Sequence, residues 1–391
     1  MNRGEVMSQK SLRNIWMVTH RWIGIIGLAA MFLLAVSGCF LVWPDASERL
    51  MHGDRFKASA AFDEARLEEY VESARTGLPD GDRISAMSVP PAGSDRSILT
   101  GGRPYESGRV GPPPRHRTWI DPGSADVTST WGLAPDGMWI MHATHGHLIF
   151  PGFGRTLVGI FGFILLFSVF TGAWLWWPRN GKILKALRWK RAPDFISNLH
   201  HMVGFWSIIP QAVLAFTGAY IVFPAMFGAV VLLVTGNLGG DTGGHDHETA
   251  PPITAPAETT QYAASEAVSI AREAGGAGDL TFIAWPTESN PVWMVQFNCR
   301  GAESDCAHAV RVNDESGATV IPVEEHDDTI ATEVADLMME VHAGGVGGPI
   351  WQIIVFLSGI VLALLSVSGI IMWAQKRGGR VRVKKLRMQR A

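Results

Sequence analysis

Four histidines draw attention because each leads into a long apolar run and because they recur in register. His20 leads into residues 22–43 and His200 into a run beginning at 202, an offset of 180 that also matches Gly24 with Gly204, Leu34 with Leu214, Gly38 with Gly218 and Pro44 with Pro224. At an offset of 197, His145 falls on His342, Gly162 on Gly359, Thr171-Gly172 on Ser368-Gly369 and Trp176 on Trp373. Imidazole is a metal ligand and a proton carrier at ordinary pH. Placed at the end of a membrane span it is costly, which marks it as functional by default. The register therefore predicts two cofactor sites, each shared by two equivalent histidines. His201 beside His200, and His142 and His147 around His145, are alternates for the same positions. For any one of these rings the plainer reading is an interfacial imidazole bonded to a neighbour or a lipid headgroup.

The elements that must hold these rings are membrane helices. Four stretches reach the ~20 apolar residues that a bilayer span needs: 22–43, 155–177, 202–223 with an extension toward 235, and 350–374. Mean hydropathy is +0.14, and 15 tryptophans suit a protein that meets lipid interfaces. The short segments 1–21 and 178–199 and the tail 375–391 carry 18 of the 33 basic residues, against only Glu5 and Asp194 among acids. By the positive-inside rule these lie in the cytoplasm, and 45–144 and 236–345 lie outside. The expected membrane is the bacterial inner one, with lipid as a partner, the basic tail as an anchor, and no nucleic acid. Val36-Ser37-Gly38-Cys39 imitates a lipoprotein processing site, but apolar residues continue to Trp43 and an uncleaved helix is expected.

The outside segments also repeat. Residues 62–76 and 260–274 have helical spacing. Strand-like runs follow near 83–89, 96–100 and 117–121 in the first segment, and near 280–286, 291–298, 307–313 and 318–322 in the second. The fold class expected is a four-transmembrane-helix bundle made from a two-fold helix-pair repeat, with two small extracytoplasmic α+β units. Cys299 and Cys306 stand close enough in sequence for an outside disulfide. His245-Asp246-His247 reads as part of a mobile polar loop.

His20-Arg21-Trp22-Ile23-Gly24 with Ser37-Gly38 resembles the first helix of the PepSY-associated transmembrane family. His145 through Arg179, His200 to Pro224 and His342 to Trp373 look like its second, third and fourth helices, and the outside segments are similar to PepSY domains. The resemblance covers almost the whole chain. It implies an inner-membrane protein with two b-type haems that passes electrons outward, the ferrioxamine-type siderophore-iron reductases being the best-understood members. The expected acceptor is a ferric siderophore, which releases its metal on reduction to Fe(II).

Low-spin haem needs an axial ligand on each face. Helices one and three start at the same membrane face, so His20 and His200 share a depth, and so do His145 and His342. Gly24, Gly27, Gly204 and Ser207, with Gly159, Gly162 and Gly359 on the other helices, are small positions that would make room for a flat macrocycle or simply for close helix packing. Arg21 and Arg155 are expected partners for haem propionates. Trp131, Met138, Trp139, His142 and His147 are expected near the outer acceptor site. No Gly-rich dinucleotide fingerprint, P-loop, HExxH or Gly-x-Ser-x-Gly motif is present, and the cytoplasmic segments are too short for a flavin domain. The electron donor, a cytoplasmic or membrane carrier, is unidentified. Two rivals remain: a haem subunit serving a periplasmic redox partner, and a non-redox regulatory or assembly protein.

Overall fold

The computed structural model describes residues 3–104, 116–132, 136–150, 152–178, 192, 194–228, 255–298, 308–321 and 330–388. In chain order the elements are α1 (Arg3–Val42), α2 (Pro44–Met51), α3 (Leu67–Gly77), β1 (Asp82–Ser88), β2 (Ile98–Pro104), β3 (His116–Ile120), β4 (Val127–Trp131), α4 (Gly137–His147) and α5 (Gly154–Trp176). They continue with α6 (Phe195–Trp206), α7 (Ile208–Val222), α8 (Ala264–Glu273), β5 (Asp279–Ala284), β6 (Val292–Asn298), β7 (Ala309–Asn313), β8 (Thr319–Val320), α9 (Ile330–Ala343) and α10 (Gly348–Met388). The chain forms two compact units, one of helices and one built around a sheet.

In the helical unit, Leu12–Val42, Gly154–Trp176 and Gly348–Gly378 are each long and apolar enough to cross a bilayer. A helix satisfies its own backbone there, which lipid cannot do. The third expected span, 202–235, is corrected. It starts at Phe195 and is broken into α6 and α7, bent by 66° around Ser207. Pro210 explains the break: it lacks the N–H that would reach Trp206 O, and its ring crowds that carbonyl. The expected continuation beyond residue 228 lies outside the described residues. Asp194 starts α6 by accepting from Ser197 N at 2.8 Å. Pro178 stops α5 and holds Trp177 extended, with ψ 124°.

Close helix contacts run through glycine. A methyl group at Gly162 of α5 would lie 3.3 Å from Ala215 O and the Ala219 side chain of α7. At Gly359 of α10 it would lie 2.5 Å from Cys39 Sγ and 3.1 Å from Ala35 O, both on α1. Gly159 is pressed in the same way against Val222 and Phe223. These three positions serve helix packing, not an open slot.

The two small α+β units expected are the two halves of one sheet. All eight strands form one antiparallel sheet in the order β4-β3-β2-β1-β5-β6-β7-β8. The join is β1 against β5, with Ala86 opposite Ala284 and Ser88 opposite Phe282. Each half alone would leave an edge of unpaired backbone groups, and pairing the two edges removes that cost. One face carries α3 and α8, which bury Leu67, Tyr70, Val71 and Ala74, and Ala264, Ala267, Val268 and Ala271. Both sets follow the i, i+3, i+4, i+7 spacing of a core-facing stripe. Trp293, Val295 and Phe297 alternate inward along β6. A single hydrophobic core includes residues of both halves.

The domain limits shift accordingly. The sheet unit comprises 45–137 and 247–326, whereas 45–144 and 236–345 were expected. Short helices α4 and α9 belong with the helical unit. Cys299, Cys306 and His245-Asp246-His247 lie outside the described residues.

Candidate functional site

The four helix-associated histidines divide between two kinds of support. His20 and His200 sit inside α1 and α6, with helix before and after them. His145 and His342 sit near the C-terminal ends of α4 and α9, short helices distinct from the spans that follow. The chain reverses between α4 and α5 through Leu148 (φ 50°) and Ile149 (φ 65°). A β-branched residue rarely adopts that region, which costs about 1–3 kcal/mol. Between α9 and α10, Gly344 takes φ 92°, and Trp351 Nε1 donates to Val341 O at 2.8 Å across the turn. These turns fold the short helices back toward the bundle.

Each ring then meets a helix from its own half of the chain. His20 Nδ1 is 2.9 Å from Thr171 Oγ1 on α5. His145 Nδ1 is 3.0 Å from Leu34 O and 3.4 Å from Ser37 Oγ on α1. His200 Nδ1 is 2.8 Å from Ser368 Oγ on α10, and His342 Nδ1 is 2.9 Å from Thr217 Oγ1 on α7. A glycine follows every one of these hydroxyl residues, and the imidazole lies over it. A methyl group would fall 2.9 Å from His145 Cε1 at Gly38, 3.0 Å from His342 Cε1 at Gly218, 3.3 Å from His20 Cε1 at Gly172 and 3.8 Å from His200 Cε1 at Gly369.

Across the halves, the His145 and His342 rings stand 6.0 Å apart, inclined by 49°. His20 and His200 sit on α1 and α6, one in each half of the chain. With Nδ1 engaged on every ring, Nε2 is the nitrogen left to bind a ligand. Among the described residues no cluster of three or more His, Cys, Asp or Glu could hold a metal ion. A bare Zn²⁺ needs four ligands, so a two-imidazole set suits a group that brings its own equatorial donors.

The alternates separate from these positions. His142 is exposed, and its Nδ1 donates to Met138 O of its own helix at 3.0 Å. His147 is exposed as well. His201 places its ring 6.4 Å from that of His200, nearly perpendicular to it. Arg155 donates to Ile221 O at 3.0 Å and so caps α7. Arg21 Nε is buried without a hydrogen-bond partner, next to His20. Gly24 has open space where a side chain would stand, and Gly204 faces only Leu365 at 3.6 Å. A side chain at Gly27 would meet Met31, and Ser207 forms the bend. Trp131 belongs to β4 of the sheet unit, whereas Met138, Trp139, His142 and His147 belong to α4.

The hydroxyl partners were not assigned a role from sequence. Their signal was present: Ser37-Gly38 matches Thr217-Gly218 at the offset of 180, and Thr171-Gly172 matches Ser368-Gly369 at 197.

The apolar helices are consistent with a multi-pass membrane protein that carries a separate antiparallel sheet region. The model of the PepSY-associated TM region family matches residues 17–376, and the chain belongs to that family. A search of curated proteins finds no match.

Proposed function

We propose that the protein is a two-haem oxidoreductase of the bacterial inner membrane that passes electrons outward to a ferric siderophore. The observation that carries this reading is the spacing of His145 and His342. Two imidazole nitrogens, each about 2.0 Å from a shared metal, bring their ring centroids to roughly 6 Å, and the rings stand 6.0 Å apart. The open positions at Gly24 and Gly204 suit a flat group beside the other pair. When bound, each b-type haem would supply one-electron Fe(III)/Fe(II) chemistry.

In this reading His20 and His200 hold the haem nearer the cytoplasm, and His145 and His342 the one nearer the outside. Arg21, with its buried unpartnered Nε, offers a donor to a propionate. Charge in the short segments supports the orientation, with both termini inside and the sheet unit outside. A two-fold helix-pair repeat completes the reading. It is supported by Gly162 on Ala215 and Ala219, matched at the two offsets by Gly359 on Ala35 and Cys39. One-electron reduction of the substrate's Fe(III) weakens its hard-oxygen coordination and frees Fe(II).

A reduced-minus-oxidised spectrum of purified protein tests the cofactor, and two haems per chain are expected. Absence of a haem signal would sink the reading. Dithionite-reduced protein should then be reoxidised by ferric siderophore. Haem that stays reduced would favour an electron-transfer subunit with another acceptor.

A further inference from the structure

The four hydroxyl-glycine pairs raise a question about protons: which nitrogen of each ring carries one. A serine or threonine hydroxyl has a single proton to donate and two lone pairs to accept with. In all four cases the hydroxyl also reaches back to a carbonyl of its own helix. Thr171 Oγ1 donates to Ser168 O at 3.0 Å, and Thr217 Oγ1 to Val213 O at 2.9 Å. Ser368 Oγ donates to Leu364 O at 2.7 Å, and Ser37 Oγ to Leu33 O at 2.7 Å. With that proton committed, the hydroxyl can only accept from the imidazole. His145 gives the same answer independently, because its nearest partner is Leu34 O, and a carbonyl never donates.

We infer that Ser37, Thr171, Thr217 and Ser368 are positioning residues that fix each histidine as the Nδ1–H tautomer and keep Nε2 as the lone-pair donor for a metal. The glycine that follows lets the ring lie against the helix, so hydrogen bond and contact together set the plane of the imidazole. Metal-bound histidines are commonly oriented in this way by a partner on the other ring nitrogen. The supporting helix comes from the ring's own half of the chain, whereas the His145 and His342 rings, 6.0 Å apart, come from opposite halves. Ring orientation is therefore set within each half before the two halves share a ligand. This inference deepens the two-haem reading and rests on it for the metal, but the tautomer itself does not depend on haem.

The test compares purified wild-type protein with Thr217→Val, Thr217→Ser and Thr171→Val, each loaded with haem. Valine keeps the shape of threonine and removes the acceptor. Haem per chain, low-spin electron paramagnetic resonance and a redox titration are read for each. Thr217→Val is expected to lose one haem about ten-fold more readily and to shift the midpoint and resonance of that haem alone. Thr217→Ser should restore both, and Thr171→Val should move the other haem instead. A Thr217→Val protein identical to wild type in retention, midpoint and resonance, while wild type holds two haems, would overturn the inference. Equal shifts in both haems would also overturn it, since general loosening would explain them. If wild type holds no haem, the two-haem reading fails first. The imidazole nitrogens of the apoprotein, read by ¹⁵N resonance with His342 assigned by its alanine variant, then decide: an Nδ1–H form supports the inference and an Nε2–H form ends it.

Discussion

The helical unit and the sheet unit both bury polar side chains, but they use them on different targets. In the sheet unit, two aspartates close the chain on itself. Asp121, just after β3, accepts from Ser59 N at 2.7 Å, Gly123 N at 3.2 Å and Ser124 N at 3.3 Å. Asp314, just after β7, accepts from Gln261 N at 2.9 Å, Tyr262 N at 3.3 Å and Trp293 Nε1 at 2.7 Å. Each carboxylate ties the end of a strand to the segment that leads into α3 or α8. In the helical unit the buried hydroxyls hold side chains instead, and the side chains they hold are imidazoles. A charged acceptor suits backbone donors that must never move. A neutral acceptor holds a ring without adding charge in a region where charge is expensive. The sheet unit's polar core maintains a shape, and the helical unit's orients imidazoles.

That contrast can be broken most directly at the rings. Replacing His342 by alanine should remove about one haem of two and leave the sheet unit folded, read by haem content and by circular dichroism. Loss of both haems together would mean that the two sites are one cooperative assembly. Asp314→Ala should do the reverse. It strands three donors, among them the buried Trp293 Nε1, costs about 3 kcal/mol, and should lower the unfolding midpoint of the sheet while the haem spectrum stays in place.

Smaller changes sharpen the comparison. Gly218→Ala places a methyl 3.0 Å from His342 Cε1, and Gly369→Ala places one 3.8 Å from His200 Cε1. The first should cost about 1–3 kcal/mol, seen as weaker haem retention, and the second should be tolerated. Equal effects would show that ring contact does not set the site. The gentlest probe is pH. Burial alone would raise the Asp121 carboxyl, but hydrogen bonds from Ser59, Gly123 and Ser124 outweigh it and hold the group at about 2, below an ordinary 3.8. The stabilisation is complete above that ordinary value and is lost as pH falls toward 2. Acid unfolding of the sheet unit should therefore begin below about pH 4 and become shallower in Asp121→Asn.

Much of this architecture is legible in the sequence. Apolar length marked the spans, and the stripes of residues 62–76 and 260–274 marked the helices that became α3 and α8. The offset of 197 paired His145 with His342, whose rings stand 6.0 Å apart. What could not be read has physical reasons. The bend at Ser207 depends on the donor missing at Pro210, inside a run apolar enough to read as a single span. The union of two expected sheets depends on an edge pairing between β1 and β5 that leaves no local pattern. Strand β4 was not expected, because its polar run Val127-Thr128-Ser129-Thr130 shows little apolar alternation. Among His142, His145 and His147, the offset of 197 favoured His145 and left the other two as alternates. Of the three, His145 is the one hydrogen-bonded to α1, at Leu34 O and Ser37 Oγ.

The pairing of β1 with β5 also has a consequence for how the protein is made. Ala86 and its partner Ala284 are separated by the whole middle of the chain, including α4 through α7. At a synthesis rate of about 5–20 residues per second, roughly 10–40 s pass between the appearance of one strand and the other. During that interval β1 carries an open edge, able to pair with any extended segment nearby. The stretch between the two strands holds α5 and the bent pair α6 and α7, so the seam between the two halves of the sheet can close only after those apolar helices have been made.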